Sequence, residues 1–312
     1  MASDWGADVG KDGVVVSQHG SSKVEELANR RKELEAWVKT LGPGSRIGVE
    51  ASGLHHRMLV AVAQAAGHAV YVLNPRDVSH YAKGMGRRAK TDRVDARLIA
   101  RYVAHEHEQL REWREPDARQ REITELLNRR HAVVKARTDL AQALGKMPGS
   151  RKLLAQMALL LRDVDRRLAQ RVREQPSLDG LVTRLRSIPG VGPLLGAALA
   201  NLLMERQFHS ADALIAYVGY DPRANDSGRH HGRRRLSKRG PAELRRLLYT
   251  SAMAAMRTRV WKPYYERDRA RGLSATAAIV ILARRLARTA FSLARHMTTF
   301  DPTRLTGACA KP

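Results

Sequence analysis

The stretch Lys90-Thr91-Asp92-Arg93-Val94-Asp95-Ala96 sets two carboxylates three residues apart, at the start of a run that continues through Leu98, Ile99, Tyr102 and Val103 with helical spacing. On a helix, positions i and i+3 share a face, so Asp92 and Asp95 project together from the first turn. Carboxylate oxygens are the ligands Mg²⁺ prefers, and a pair of such ions can clamp the attacking and leaving oxygens of a phosphodiester in transit. The plain alternative is that acids simply offset the dipole at a helix start. Where the other acids lie decides between the two.

Asp8 falls in the middle of one predicted strand and Glu50 at the end of another, positions where a carboxylate is costly to bury without a charge partner. If those strands are neighbours, Asp8 and Glu50 meet at one edge of a sheet, and a helix packed there adds Asp92 and Asp95. The elements needed to do this are legible. Residues 5–9 and 14–17 read as a hairpin around Gly10-Lys11-Asp12-Gly13. A helix capped by Ser21 or Ser22 follows, through Val24, Leu27, Leu34 and Val38 to Leu41-Gly42-Pro43-Gly44; then come a strand over 46–50, a helix over 53–66, and a strand over 68–73 closed by Asn74-Pro75. Strands alternating with helices predict a layered α/β domain whose sheet is largely parallel after the first hairpin.

From Pro116 the strand signal ends. Ile123, Leu126, Val133, Leu140 and Leu144, then Met157, Leu161, Val164, Leu168 and Val172, keep seam-like spacings on either side of Met147-Pro148-Gly149-Ser150. This predicts a helical hairpin or coiled coil, serving self-association, spacing or simple intradomain packing. Beyond it, Ile188-Pro189-Gly190-Val191-Gly192-Pro193 before Ala197 and Ala198 is patterned as a helix-hairpin-helix turn, where glycine amides can face a phosphate or merely let two helices pack closely. Ser210 caps a short helix ending near Gly219. Residues 221–240 carry no apolar period and are rich in arginine, histidine and glycine; Pro241 restarts a helix through Leu244, Leu247 and Leu248, and a last amphipathic helix spans 277–297 with Arg284, Arg285, Arg288 and Arg295 facing DNA or water.

The 312 residues carry a formal charge of +25, which disfavours compactness unless a polyanion screens it, so nucleic acid is the default partner and an acidic membrane surface the weaker one. No apolar run is long enough for a bilayer span, the best, Ala277 to Ala283, being stopped by Arg284 and Arg285. The first residues lack the basic and apolar regions of a signal peptide, and the chain reads as cytoplasmic and nucleoid-associated. A single cysteine, Cys309, excludes an internal disulfide and any thiolate metal cluster.

Gly6-Ala7-Asp8-Val9-Gly10-Lys11-Asp12, Val49-Glu50-Ala51-Ser52-Gly53, Leu73-Asn74-Pro75 and Lys90-Thr91-Asp92-Arg93-Val94-Asp95-Ala96 resemble, in order, the DEDD transposases of the insertion-sequence-110 family, relatives of the Piv/MooV DNA invertases. The resemblance continues through Ile188-Pro189-Gly190-Val191-Gly192, Ala216-Tyr217-Val218-Gly219-Tyr220-Asp221-Pro222, Asp226-Ser227-Gly228, Leu236-Ser237-Lys238-Arg239-Gly240 and Leu244-Arg245, and so covers almost the whole chain. Ser52 stands where the family more often has threonine, and the third strand usual in the RNase-H-like sheets that the resemblance implies is not visible in the sequence.

The resemblance implies an α/β plus all-α chain: an RNase-H-like, RuvC-type domain over 1–115, a coiled-coil insertion over 116–178 and a helical transposase domain over 179–312. It implies that Asp8, Glu50, Asp92 and Asp95 hold Mg²⁺, with Mn²⁺ a substitute, and that Ser227 is a nucleophile in strand cleavage. It further implies a bridge RNA that pairs with donor and target DNA, and a homo-oligomer that assembles from dimer to tetramer. Around Ser227, the side chains of Arg223, Arg229, His230, His231, Arg233, Arg234, Arg235, Lys238 and Arg239 can hold phosphate. Judged by its neighbours Asn225, Asp226 and Gly228 alone, Ser227 is an ordinary turn serine. Ser237 is its nearest rival, better suited to helix entry or a phosphate contact. Asp12 reads as a turn acid, His55-His56 point in different directions and make a poor metal pair, His230-His231 suit phosphate better than zinc, and Lys90 is an exposed lysine or a phosphate contact. Two rivals stand beside the recombinase: a RuvC-type nuclease that hydrolyses DNA with water, and a non-catalytic basic nucleic-acid-binding protein.

Overall fold

The computed structural model describes residues 3–51, 55–86, 92–115, 117–145, 147–223, 226–227, 230–231 and 235–308; the side chains of residues 92–94, 223, 226, 227, 230, 231 and 306–308 lie outside that description. The chain divides into two compact units, Met1–Glu115 and Pro116–Pro312.

The first unit is built on β1 (Asp4–Val9), β2 (Gly13–Gln18), β3 (Glu25–Ala28), α1 (Arg31–Lys39), β4 (Arg46–Glu50), α2 (Arg57–Ala65), β5 (Ala69–Leu73), α3 (Pro75–Gly84) and α4 (Asp92–Glu106). Its five-stranded sheet has the order β3-β2-β1-β4-β5. β1 and β2 pair antiparallel, as does β2 with β3, whereas β1-β4 and β4-β5 are parallel. The mixed α/β expectation holds, and two details are corrected. The helix predicted from Ser21 or Ser22 begins only at Arg31; before it, Glu25–Ala28 forms the unseen third strand, with Leu27 opposite Val14. Four residues are too few to separate a three-residue apolar step from strand alternation. A helix, α3, also follows Asn74-Pro75, which open a helix as well as closing a strand: the Asn74 side chain accepts from the Arg76 amide at 2.9 Å, and Pro75 sits at the first helical position, where a missing N–H costs nothing.

α4 crosses one face of the sheet so closely that one strand position admits only glycine and a second leaves no free space for a Cβ. A Cβ on Gly6 would stand 2.1 Å from the Ala96 carbonyl oxygen and 2.2 Å from the Ala100 nitrogen, and one on Gly48 2.5 Å from a Val103 methyl. At the strand starts, Arg46 donates from Nε to Asp4 Oδ1 at 2.5 Å and from a terminal nitrogen to Oδ2 at 3.0 Å, and reaches His107, just past the end of α4, at 2.5 Å. α4 therefore runs antiparallel to β1 and β4, with its last turn at their beginnings and its first turn at their ends.

The second unit is helical: α5 (Ala118–Leu144), α6 (Ser150–Arg173), α7 (Pro176–Arg186), α8 (Pro193–Glu205), α9 (Ala211–Val218), four two-residue strands β6 (Pro222–Arg223), β7 (Asp226–Ser227), β8 (His230–His231) and β9 (Arg235–Leu236), then α10 (Ala242–Ala255), α11 (Lys262–Ala270), α12 (Ala275–His296) and a closing 3₁₀ turn. α5 and α6 form the expected hairpin. Arg171 donates to Glu122 at 2.8 Å and Arg130 to Asp165 at 2.5 Å, a descending register that makes the pair antiparallel. The base of the hairpin, through Ile123, Leu126, Leu168 and Val172, belongs to the same apolar core as α7 to α12. Ser210 caps α9 as expected, accepting from the Ala213 amide at 3.1 Å. No helix among the described residues is long and apolar enough to cross a membrane.

Candidate functional site

The parallel register of β1 and β4 ends at Ala7 opposite Val49, so the next residues on the two strands, Asp8 and Glu50, come side by side. Side chains alternate across a sheet. Gly6 and Gly48 face α4, and two residues on, Asp8 and Glu50 face the same way. α4 starts at that end with Asp92 and runs through Asp95 to Ala96, which lies over Gly6. The fold thus brings Asp8, Glu50, Asp95 and the backbone of Asp92 to one end of one face.

Asp8, Glu50 and Asp95 are all half-buried, and each engages a polar or charged group. Among the described residues no three acids, histidines or cysteines stand close enough to hold a metal ion; the side chain of Asp92 is outside the description. The donor set is nonetheless all carboxylate oxygen, the chemistry that suits Mg²⁺ and not zinc or copper. Asp12 is exposed in the turn between β1 and β2, apart from this group. His55 is exposed while His56 is buried against the Trp113 ring, 6.5 Å between centroids, so the two do point apart. Ser52 and Lys90 lie outside the described residues.

In the second unit Ser227 lies on β7, in register with His230 of β8, and Asp226 faces His231. The antiparallel pair of β6 and β9, Pro222 with Leu236 and Arg223 with Arg235, closes the foot of the segment that carries it. Arg229, Arg233 and Arg234 lie outside the described residues. Arg235, Lys238 and Arg239 are exposed.

Ser237 is fixed. It is 8% exposed, its hydroxyl donates to an Asp221 carboxylate oxygen, and its amide donates to the Asp221 carbonyl at 3.0 Å. It ties the two strands of the foot together and is spent as a structural group, not as a phosphate contact. Behind it the chain passes Gly219, at φ +80°, and Gly240, where a Cβ would sit 1.7 Å from the Tyr217 carbonyl oxygen. Arg245 donates to the Val218 carbonyl at 3.1 Å, and Tyr220 donates to the Arg245 carbonyl at 2.7 Å; burial pushes the Tyr220 hydroxyl up to about 12.

The turn between α7 and α8 resolves its two readings position by position. Gly190, at φ +94°, abuts Ala255 of α10, and the Pro189 carbonyl accepts from Trp261 at 3.0 Å, so this glycine serves packing. Gly192 caps α8 with nothing near its missing Cβ, which leaves that end of the turn open.

A chain that joins an α/β unit with acids gathered at its strand ends to a basic helical unit has the organisation of an enzyme that acts on nucleic acid. The profile of the DEDD transposases of IS110, described as "Transposase", matches residues 5–147, and that of the "Transposase IS116/IS110/IS902 family" matches residues 182–266. The chain belongs to this family of insertion-element transposases, enzymes that act on DNA. Among its relatives, the pilin gene-inverting protein of Moraxella bovis is 28% identical over 265 residues, covering 81% of each chain. A probable family 20 transposase of Pseudomonas aeruginosa is 26% identical over 340 residues, covering 95% of this chain and 98% of its own, and an IS116 protein of Streptomyces clavuligerus is 31% identical over 176 residues, covering 55% and 44%.

Proposed function

We propose that the protein recombines DNA through a serine-linked intermediate, guided by a bridge RNA of its own element. The first unit is read as RuvC-type and RNase-H-like, and the hairpin of α5 and α6 as the coiled coil through which copies associate. Exposed Met147, Leu159 and Leu160 on that hairpin support self-association. The observation that carries the reading is the convergence of Asp8 and Glu50 at neighbouring strand ends with the start of α4. Charge complementarity to nucleic acid alone asks for no such arrangement of acids.

Asp8, Glu50, Asp92 and Asp95 are the residues that would hold Mg²⁺, or Mn²⁺ in its place. Bound there, the metal would neutralise charge on the attacking and leaving oxygens of a phosphodiester. Ser227 Oγ attacks phosphorus, gives up its proton, and forms a phosphoserine bond as the P–O bond to the sugar breaks and that sugar oxygen leaves as a hydroxyl. Attack by the sugar hydroxyl of the exchanged strand reverses the step and frees the serine. Arg223, Arg229, His230, His231, Arg233, Arg234, Arg235, Lys238 and Arg239 hold the phosphates on either side by charge. Sequence is chosen by base pairing with the RNA, so the protein itself binds backbone and shape.

The test is cleavage of DNA carrying the element's ends by purified protein with Mg²⁺ and RNA transcribed from the flanking noncoding region, run on a denaturing gel. A covalent protein–DNA band that requires RNA and metal and is lost in Ser227→Ala is the expected result. Cleavage that persists in Ser227→Ala with no covalent band replaces the serine with water and makes the protein a RuvC-type nuclease.

A further inference from the structure

Arg284 and Arg288 stand one turn apart on the same face of α12, and that face packs on α9. Arg288 donates to Asp212 in the first turn of α9. The charge of Asp221 acts on Arg284 as well as that of Asp212, which sets Arg284 towards the end of α9, where the chain turns through Gly219 into Asp221 and β6. Yet Asp212 is bonded to Arg288, and Asp221 accepts from Ser237. Arg284 itself makes no hydrogen bond among the described residues, and its Nε is buried without a partner.

Its Nε is a donor taken out of water with no acceptor in its place, which is a cost to folding and not a contribution, while the rest of the half-buried guanidinium stays open to solvent. Such a group is kept where something outside the chain receives it. We infer that Arg284 receives a phosphate of the DNA strand that Ser227 attacks, reaching it at the foot of the serine-bearing segment. The inference rests on the serine reading only for which phosphate is held. Asp221 and Ser237 fix the foot, Arg288 holds α12 against α9, and Arg284 is left pre-set with its donors free, so little ordering is needed when the anion arrives. Burial and the like charge of Arg288 both act against the protonated guanidinium, and an incoming phosphate relieves both.

The experiment measures binding without cleavage. DNA duplex carrying the element's ends, and separately the transcribed RNA, are titrated by anisotropy in EDTA against wild type, Arg284→Met, Arg284→Lys and, as a control for losing one exposed positive charge, Arg31→Met; melting is recorded for each. Removal of a charge-assisted contact is expected to weaken DNA binding by about ten- to a hundredfold and to lower the salt slope by about one. Arg284→Met is expected to melt no lower than wild type, Arg284→Lys to recover part of the affinity, and Arg31→Met to bind as wild type. A lower melting midpoint in Arg284→Met makes the guanidinium structural and overturns the inference. So does unchanged DNA binding, or a loss for RNA as large as for DNA. Because no bond is cut in this assay, a Ser227→Ala protein that still cleaves would sink the serine while leaving the arginine result standing.

Discussion

Gly6→Ala tests whether the packing of α4 on β1 sets the geometry of the acids. The added Cβ would lie 2.1 Å from the Ala96 carbonyl oxygen and 2.2 Å from the Ala100 nitrogen, where ordinary contact begins at 3.4 Å. Both obstacles are helix backbone, which cannot rotate aside, so α4 must retreat by about 1.3 Å at the turn that follows Asp95. Overpacking of this kind costs about 1–3 kcal/mol, and a rigid obstacle places Gly6→Ala at the upper end. A displacement of about 1 Å between groups that share a reaction centre costs on the order of a hundredfold in rate. Gly48→Ala is the internal comparison, because its Cβ meets the Val103 and Ile99 methyls at 2.5 and 2.8 Å and side chains can yield. The assays are urea unfolding followed through Trp5, Trp37 and Trp113, and metal-dependent DNA cleavage. Gly6→Ala should lose more stability and far more cleavage than Gly48→Ala. Wild-type cleavage in Gly6→Ala, or the reverse order of the two variants, would refute the dependence of the acid site on this contact.

Three further outcomes are expected. Ser237→Ala removes a buried donor from Asp221, which should cost about 1–3 kcal/mol in urea unfolding while the covalent protein–DNA band survives; loss of that band in a folded Ser237→Ala protein would transfer the nucleophile's role to it. Tyr220 is almost fully buried with its hydroxyl pushed up to about 12, so the folded state keeps a proton that the unfolded chain loses near pH 10. Its contribution is complete below pH 10 and is lost as pH rises towards 12, on the order of 3 kcal/mol, and Tyr220→Phe should flatten that part of the stability profile. Gly240→Ala sets a Cβ 1.7 Å from the Tyr217 carbonyl and should prevent the second unit from folding, read as loss of its cooperative melting, whereas Gly44→Ala, exposed with nothing near its Cβ, should cost only about 1 kcal/mol.

The ordered acids were legible because the two signals that place them are local. A strand ending in Glu50 and a helix starting at Asp92 are marked by their own apolar periods and turn residues, and the parallel pairing of β1 with β4 then brings the ends together. What escaped is what depends on partners distant in sequence. β3 is four residues long and becomes a strand only by pairing on β2. α11 has no fully buried apolar residue of its own, Asp268 being its one buried side chain, and Lys262-Pro263 at its start is the available signal. Ser237 looked like a helix-entry or phosphate serine because Asp221, sixteen residues earlier, is what engages its hydroxyl. Arg284 could not be separated from Arg285, Arg288 and Arg295 by sequence, since the distinction is that Arg288 is bonded to Asp212, Arg285 lies 4.9 Å over the Tyr264 ring, and Arg284 has no hydrogen-bond partner among the described residues.

The two ends of the β1–β4 pair handle charge in opposite ways, and this yields a last prediction. At the strand starts Asp4 lies opposite Arg46 and is held by two hydrogen bonds. Four residues on, the same parallel register sets Asp8 beside Glu50, like charge beside like, at the end where α4 starts. A parallel pair cannot slip by one residue to separate them without turning every side chain to the other face, so the register that stabilises one end concentrates negative charge at the other. If that repulsion is retained for a divalent cation, Mg²⁺ should stabilise the folded protein by mass action, by about 2.7 kcal/mol at a hundred times its dissociation constant. On adding Mg²⁺ the wild-type melting midpoint should rise and that of Glu50→Gln should not. Equal shifts in both proteins, or none in either, would mean that the acids at this end of the sheet do not hold the cation.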